Sequence, residues 1–248
     1  MVPYSKLIRA LNNDRKMRKK EGLFVLEGPK LLEEALDAGL NFRVILVGQS
    51  LNDQGLLEKA KKRAPLFVIE DKEVQSLSST VTPQGVIAVL EVPQYTLDDI
   101  EKEPFFLVLD GIQDPGNLGT LFRTALASGA GGLILIKNTV DPFNPKVVRS
   151  AMGALFKLPF VTDISIDELT NFSTNLRAAV LEDAKAYYQL KPEKGVGLII
   201  GNEGQGISQA IVEIAKEKVY IPIDKRSESL NAAIAAGVLL FYLKEHLG

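Results

Sequence analysis

Cysteine and tryptophan are absent from the 248 residues, and histidine occurs once, as His246. Without thiols there are no disulfides, thiolate metal sites or cysteine nucleophiles. One histidine does not supply the imidazole clusters of metal or acid–base centres, so no metal is expected. No uncharged apolar run reaches the roughly 18–20 residues that a membrane-spanning helix needs, and the opening MVPYSKLIRALNNDRKMRKK has no apolar signal core. The expectation is a cytoplasmic protein with no membrane partner. What is present is ordinary for a folded chain: 46% hydrophobic and 24% charged residues, with a mean hydropathy of +0.09. Global disorder and a collagen-like repeat are excluded by that balance. The length suits one large domain or two modest ones of about 100–200 residues.

Charge is unevenly spread. Residues 1–95 carry 14 Lys and Arg against 12 acids, whereas residues 96–248 carry 15 against 19. Seven cations stand in the first twenty residues, among them Arg15, Lys16, Arg18, Lys19 and Lys20, against the single acid Asp14. Such a run reads either as a solvated helical face or as a surface for nucleic-acid phosphate.

From residue 22, short β-rich runs alternate with amphipathic stretches: LFVLEG, PKLLEEALDAGL, FRVILVG, LNDQGLLEKAKKRA, LFVIE. That is a βαβαβ rhythm. Pro29 fits a first helical turn and Gly39 a stop, with Leu31, Leu32, Ala35 and Leu36 at helical spacing between them. A proline-containing acidic stretch near 93–103 marks a boundary between a domain at 1–95 and another at 104–248. In the second half, near-continuous apolar runs at 104–110, 131–137, 176–181, 195–200 and 219–223 imply strands covered on both faces, hence a mostly parallel sheet. The fold class is α/β throughout. A final helix from about Ser229 to His246 has one broad apolar side.

Three segments leave strands through glycine-rich or polar turns and enter helices, the junction where open α/β sheets bind ligands. In LDGIQDPGNLGTLFRTALASGA (109–130), Gly111 and Gly116 have P-loop spacing, but Asn117 and Leu118 replace the phosphate-binding lysine and the magnesium-binding hydroxyl. Arg123 follows on the helix, either facing a ligand or snorkelling and paired with a neighbouring acid. In GLIIGNEGQGIS (197–208) the glycines lack the Rossmann order, and Glu203 in the turn disfavours pyrophosphate. Glu203 reads as an orienting group for a neutral or cationic partner, or as a local turn acceptor. In YIPIDKRSESLNAAIAAGVLL (220–240), Ser229 reads by default as a helix cap, while Asn231 has several amide hydrogen bonds to place.

In order and spacing, these segments resemble the three motifs of the SpoU-type RNA ribose methyltransferases, the TrmH-like branch of the SPOUT superfamily. The first motif is matched by Asn117-Leu118-Gly119 and Arg123-Thr124-Ala125. The second is matched by Ile200-Gly201, Glu203 and Gly206, and the third by Ile221-Pro222-Ile223 with Ser229-Leu230-Asn231. The stretch 141–159 resembles the family's intermotif segment, and residues 15–92 resemble the small domain often fused ahead of it, similar to a ribosomal-protein RNA-binding fold. One departure stands in the third motif, where Lys225, followed by Arg226, replaces a common glycine. It bears on cofactor-loop geometry or on substrate choice.

The resemblance implies a parallel-sheet domain with a trefoil knot, S-adenosyl-L-methionine held in the knot, and a homodimer. It assigns cofactor contacts to Leu181, Gly201, Ile221 and Leu230. Asn117, Arg123, Glu203, Ser229 and Asn231 become the catalytic group, and Arg15, Lys16, Arg18, Lys19, Lys20, Lys225 and Arg226 the RNA-binding one. It implies methylation of a ribose 2′-hydroxyl, with ribosomal RNA the first choice of substrate and transfer RNA the second. A turnover-free RNA-binding assembly factor and an ordinary nucleotide-binding enzyme are the rivals. Arginine, with a pKa above about 12, is a poor base. Arg123 therefore either deprotonates transiently or, in the preferred reading, stays cationic and clamps RNA phosphate while the proton leaves through phosphate or water.

Overall fold

Strand-forming and helix-forming stretches alternate along the whole chain, and they settle into two units in the computed structural model, which describes residues 2, 4–101, 104–173 and 175–247. Lys102 and Glu103 of the inferred boundary lie outside that set. One unit comprises Met1–Gln94 with Asp141–Phe156, the other Tyr95–Val140 with Lys157–Gly248. Among the described residues no helix is long and apolar enough to cross a membrane.

The first unit holds strands β1 (Leu23–Glu27), β2 (Phe42–Gly48), β3 (Leu66–Ile69) and β4 (Val86–Glu91), in the order β1-β4-β2-β3. The helix Pro29–Asp37 starts on its proline and buries Leu31, Leu32, Ala35 and Leu36, as their spacing requires. The sheet is mixed: β4 runs antiparallel to both β1 and β2, while β2 and β3 are parallel. Ile87 and Val89 join one buried cluster with Val25, Val44 and Leu46, and Ala88 and Leu90 on the opposite side are buried too. A strand apolar on both sides buries equally well in either direction, so alternation alone does not set its sense.

Residues 141–156, although they come after the boundary inferred from the sequence, belong to this first unit. The Phe24 ring packs 4.8 Å from that of Phe143 and 6.2 Å from that of Phe156, centroid to centroid. Arg18 is only 6% exposed. Its Nε donates to Asp141 Oδ2 at 2.7 Å, Nη2 lies 2.7 Å from the same oxygen, and Nη1 donates to the Leu11 carbonyl. The sequence grouped Arg18 with the RNA-facing cations. It is instead an internal strut, because an acid far along the chain supplies the partner that its burial demands. Arg15, Lys16, Lys19 and Lys20 are exposed on the helix Arg15–Glu21.

The second unit holds β5 (Phe105–Asp110), β6 (Leu133–Ile136), β7 (Phe160–Ile164), β8 (Leu176–Ala179), β9 (Lys185–Ala186), β10 (Val196–Gly201) and β11 (Glu217–Tyr220). Their order is β7-β6-β5-β10-β8-β11-β9, and every neighbouring pair is parallel. All of β5 is buried, as its unbroken apolar run anticipates. The chain does not lay its strands down in spatial order: β10 enters between β5 and β8, and β11 between β8 and β9.

Candidate active site

Parallel strands finish on one edge of their sheet, so the turns after β5, β10, β8 and β11 emerge side by side. Gly111–Asn117 follows β5 and Asn202–Ile207 follows β10. Leu181 stands two residues past β8, and Ile221 directly follows β11.

Asp114 caps the helix Pro115–Ser128: its Oδ1 accepts from the Asn117 backbone N–H at 2.8 Å, with Pro115 in the first turn. Asn117 thereby stands in the first turn with its side-chain amide projecting from the helix start. Its Nδ2 donates to Glu203 Oε1 at 2.9 Å, and its Oδ1 accepts from Asn231 Nδ2 at 3.0 Å. The Asn231 Oδ1 in turn accepts from the backbone N–H groups of Ala233 (2.9 Å) and Ile234 (3.3 Å). One residue from each of the three turns is thus joined in a single relay. Its polarity is determined: a carboxylate only accepts, so Asn117 must turn its NH₂ to Glu203 and its oxygen to Asn231, whose own oxygen is left for the helix.

Glu203 also accepts from the backbone N–H groups of Gln113 (3.2 Å) and Asp114 (3.4 Å). Partial burial would raise its pKa, yet hydrogen bonds from Asn117 and from the backbone of Glu203, Gln113 and Asp114 hold it below the ordinary glutamate value. It is an ionised anchor for the first turn. Gly201 has a different purpose, since a Cβ there would overlap the Gly206 carbonyl carbon and the Ile207 nitrogen. The turn folds back on the strand end, with Asn202 and Gly206 exchanging two backbone hydrogen bonds of 2.9 Å. Only glycine permits that approach.

Ser229 is not the helix cap. The last helix spans Ala232–Leu247, and its first N–H groups go to Asn231. Ser229 is exposed, and its carbonyl accepts from Ser227 Oγ at 3.2 Å. Arg123 lies on the same helix as Asn117, about 9 Å further along at 1.5 Å per residue. It is exposed, and its guanidinium makes no hydrogen bond or ion pair with any described residue, which removes the reading of a cation paired with a neighbouring acid.

Asp224 closes the turn after β11, accepting from the backbone N–H and guanidinium of Arg226. That pairing raises the Arg226 pKa and lowers that of Asp224. Lys225 is exposed and is not among the residues of positive φ, so a side chain in place of the family's glycine forces no left-handed backbone. Leu181 is 60% exposed, Leu230 is 38% exposed and Ile221 is half-buried.

Gln113, Asp114, Asn202 and Asp110 complete the site and were not singled out from the sequence. Asn202 Nδ2 donates to the Gly111 carbonyl at 2.7 Å, and Asp110 Oδ2 accepts from the Ser208 N–H at 2.7 Å. The Asp-Pro pair at 114–115 was a readable cap signal, and Asn202 in a glycine turn a readable turn signal. Among the described residues no group of three or more His, Cys, Asp or Glu is arranged to hold a metal ion.

Residues 104–241 match the SpoU rRNA Methylase family, and residues 3–88 match the MRM3-like substrate binding domain. The chain is 34% identical over 233 residues to the 23S rRNA (guanosine(2553)-2′-O)-methyltransferase RlmP of Bacillus subtilis, covering 93% of this chain and 92% of that protein. It is similar to the AdoMet-bound rRNA methyltransferase from Sinorhizobium meliloti, with a TM-score of 0.89, 32% identity and coverage of 99% and 95%. It is likewise similar to the SpoU methyltransferase AviRb from Streptomyces viridochromogenes in complex with AdoMet, with a TM-score of 0.90, 28% identity and coverage of 99% and 98%.

Proposed function

Because the chain belongs to the SpoU rRNA methylase family, we propose that the edge formed by its three turns is the active site of an rRNA ribose methyltransferase in which Arg123 meets the RNA. The protein is an S-adenosylmethionine-dependent enzyme that methylates a ribose 2′-hydroxyl of ribosomal RNA. The observation that carries the assignment of residues is the Glu203–Asn117–Asn231 relay, which ties all three turns to one place.

S-adenosylmethionine, when bound, supplies an electrophilic methyl group on a sulfonium. Leu181, Ile221 and Leu230, with the backbone around Gly201, would hold it. Arg123 brings a planar guanidinium whose donors are unspent, suited to a bidentate grip on an RNA phosphate beside the reacting sugar. Fixing the sugar oxygen in line is worth several kcal/mol of barrier before any proton moves. Glu203 holds the first turn, Asn117 passes that constraint to Asn231, and Ser229 and Leu230, just before Asn231, line the approach. Lys225 and Arg226 in the neighbouring turn add cationic surface for RNA, and Arg15, Lys16, Lys19 and Lys20 give the first unit a cationic surface of its own. The proton leaves through phosphate or water.

The last helix supports a homodimer. Ile234, Val238 and Phe241 recur at helical spacing and stay exposed, at 57%, 37% and 48%, on a helix apolar nearly all round. Such a stripe is an interaction surface, and we place the second copy there. The family's knotted threading and a cytoplasmic location belong to the same proposal.

Methyl transfer to a ribosomal RNA transcript, with S-adenosylmethionine affinity measured by calorimetry, tests the assignment. Arg123→Ala should abolish transfer and leave cofactor affinity within a few fold, because its contribution lies in the transition state. Equal loss of cofactor binding overturns the role given to Arg123.

A further inference from the structure

A cavity of about 350 Å³ lies within the first unit. It is large enough for one small molecule or nucleotide, since ligand pockets begin at roughly 300 Å³. Its wall comes from three stretches of sequence: Glu27 to Leu31, the turn at 80–84, and Arg149 with Met152. The last two residues belong to the 141–156 segment and lie outside the 3–88 match.

The lining has two characters. Leu31 and Met152 supply apolar surface, and Met152 is held at a φ of 50° and is 45% exposed, a costly way to present a large side chain to solvent. Lys30, Thr82 and Gln84 line the same wall, and their side chains make no hydrogen bond or ion pair with any described residue. Arg149 is aimed: its Nη1 donates to Ser79 Oγ at 2.7 Å, and Ser79 donates through Oγ (2.6 Å) and its backbone N–H (2.8 Å) to Glu27 Oε1. Ser78 Oγ donates to the other Glu27 oxygen. The carboxylate is thus occupied in holding the turn, while most of the guanidinium donors remain.

Apolar surface with a polarisable sulfur, an unspent amide and two cations are the features that receive one splayed-out nucleotide. A base there would lie on Met152 and Leu31, with Gln84 at its edge and Lys30 and Arg149 at the flanking phosphates. We propose that this cavity binds a single unpaired nucleotide of the RNA substrate, and that Arg149 and Met152 complete the pocket from outside the matched substrate-binding segment. The inference rests on the reading of the chain as an rRNA methyltransferase.

The test titrates the full chain with a labelled single-stranded oligoribonucleotide of mixed sequence and with a duplex of the same length. Lys30→Ala/Arg149→Ala should weaken single-strand binding at least tenfold. It should also lower the salt slope by about 1.4, at about 0.7 for each single-strand phosphate that the variant leaves unneutralised. Duplex binding should change less than threefold. Arg149→Lys should recover part of the affinity, which separates charge from a disturbed turn, and photo-crosslinking with 4-thiouridine should map to the Met152 peptide. Unchanged single-strand binding in the double variant, or equal weakening for both RNAs, overturns the pocket. Methylation of a ribosomal RNA transcript by the unsubstituted protein tests the underlying reading separately, because it can fail while the pocket result holds, and the reverse.

Discussion

Asn231 has two tasks that two substitutions pull apart: it caps the last helix through Oδ1 and steadies Asn117 through Nδ2. Asn231→Ala removes both. A lost cap costs about 1 kcal/mol, and a lost amide hydrogen bond in a partly exposed relay about 0.5–1 kcal/mol. At roughly 2–4 °C per kcal/mol for a unit of this size, the melting temperature should fall by about 3–8 °C. Asn231→Asp keeps the acceptor for Ala233 and Ile234 and adds a negative charge at a helix start, which is favourable by about 0.3–1 kcal/mol. It nonetheless breaks the relay. Asn117 would then stand between two carboxylates, and whichever way its amide turns, its oxygen faces one of them. The aspartate variant should therefore melt within about 2 °C of the parent while methyl transfer falls at least tenfold, about 1.4 kcal/mol of transition-state alignment. Circular dichroism melting and transfer of a tritiated methyl group to a ribosomal RNA transcript measure the two quantities. Parental turnover in the aspartate variant refutes the claim that the relay positions the site.

Glu203 and the last helix carry two more expectations. Since the folded pKa of Glu203 is lowered, the stability it contributes is fully present above the ordinary glutamate value of about 4.3 and is lost as pH falls through the depressed value. The difference in melting temperature between the parent and Glu203→Gln should be constant from about pH 7 to 5 and shrink at lower pH; a difference growing on acidification contradicts the assignment. Phe241→Asp, on the exposed stripe of the last helix, should yield a monomer by sedimentation where the parent is a dimer, and a parent already monomeric overturns the pairing surface.

The parallel sheet and the three turns were legible because unbroken apolar runs such as Phe105–Asp110 and Val196–Gly201 allow little except buried strands, and glycines at their ends mark the exits. Direction and partnership were not legible. The antiparallel β4 has the same both-sided apolar pattern as β2, which runs parallel to β3, and the two-residue β9 is too short to leave a periodic trace. Within the basic run, nothing in Arg18 distinguishes it from Lys19, because Asp141, the acid that buries it, stands more than a hundred positions away. Ser229 and Asn231 are both competent caps by residue type, and the choice fell to the one whose remaining amide group also finds Asn117. Periodicity reads a residue's own surroundings. It does not read a partner brought in by the tertiary structure.

The late arrival of β10 between β5 and β8 sets a condition on biosynthesis. While a ribosome is making the chain, β5 can pair with β6 but has an open flank until Val196–Gly201 has emerged, and the Asn117 relay stays unfinished until Asn231 follows. A nascent chain therefore passes much of its synthesis with a vacant slot at the centre of its future sheet, a long-range closure of the kind that slows folding. Premature termination anywhere before that slot is filled should release a fragment that is sticky and catalytically silent.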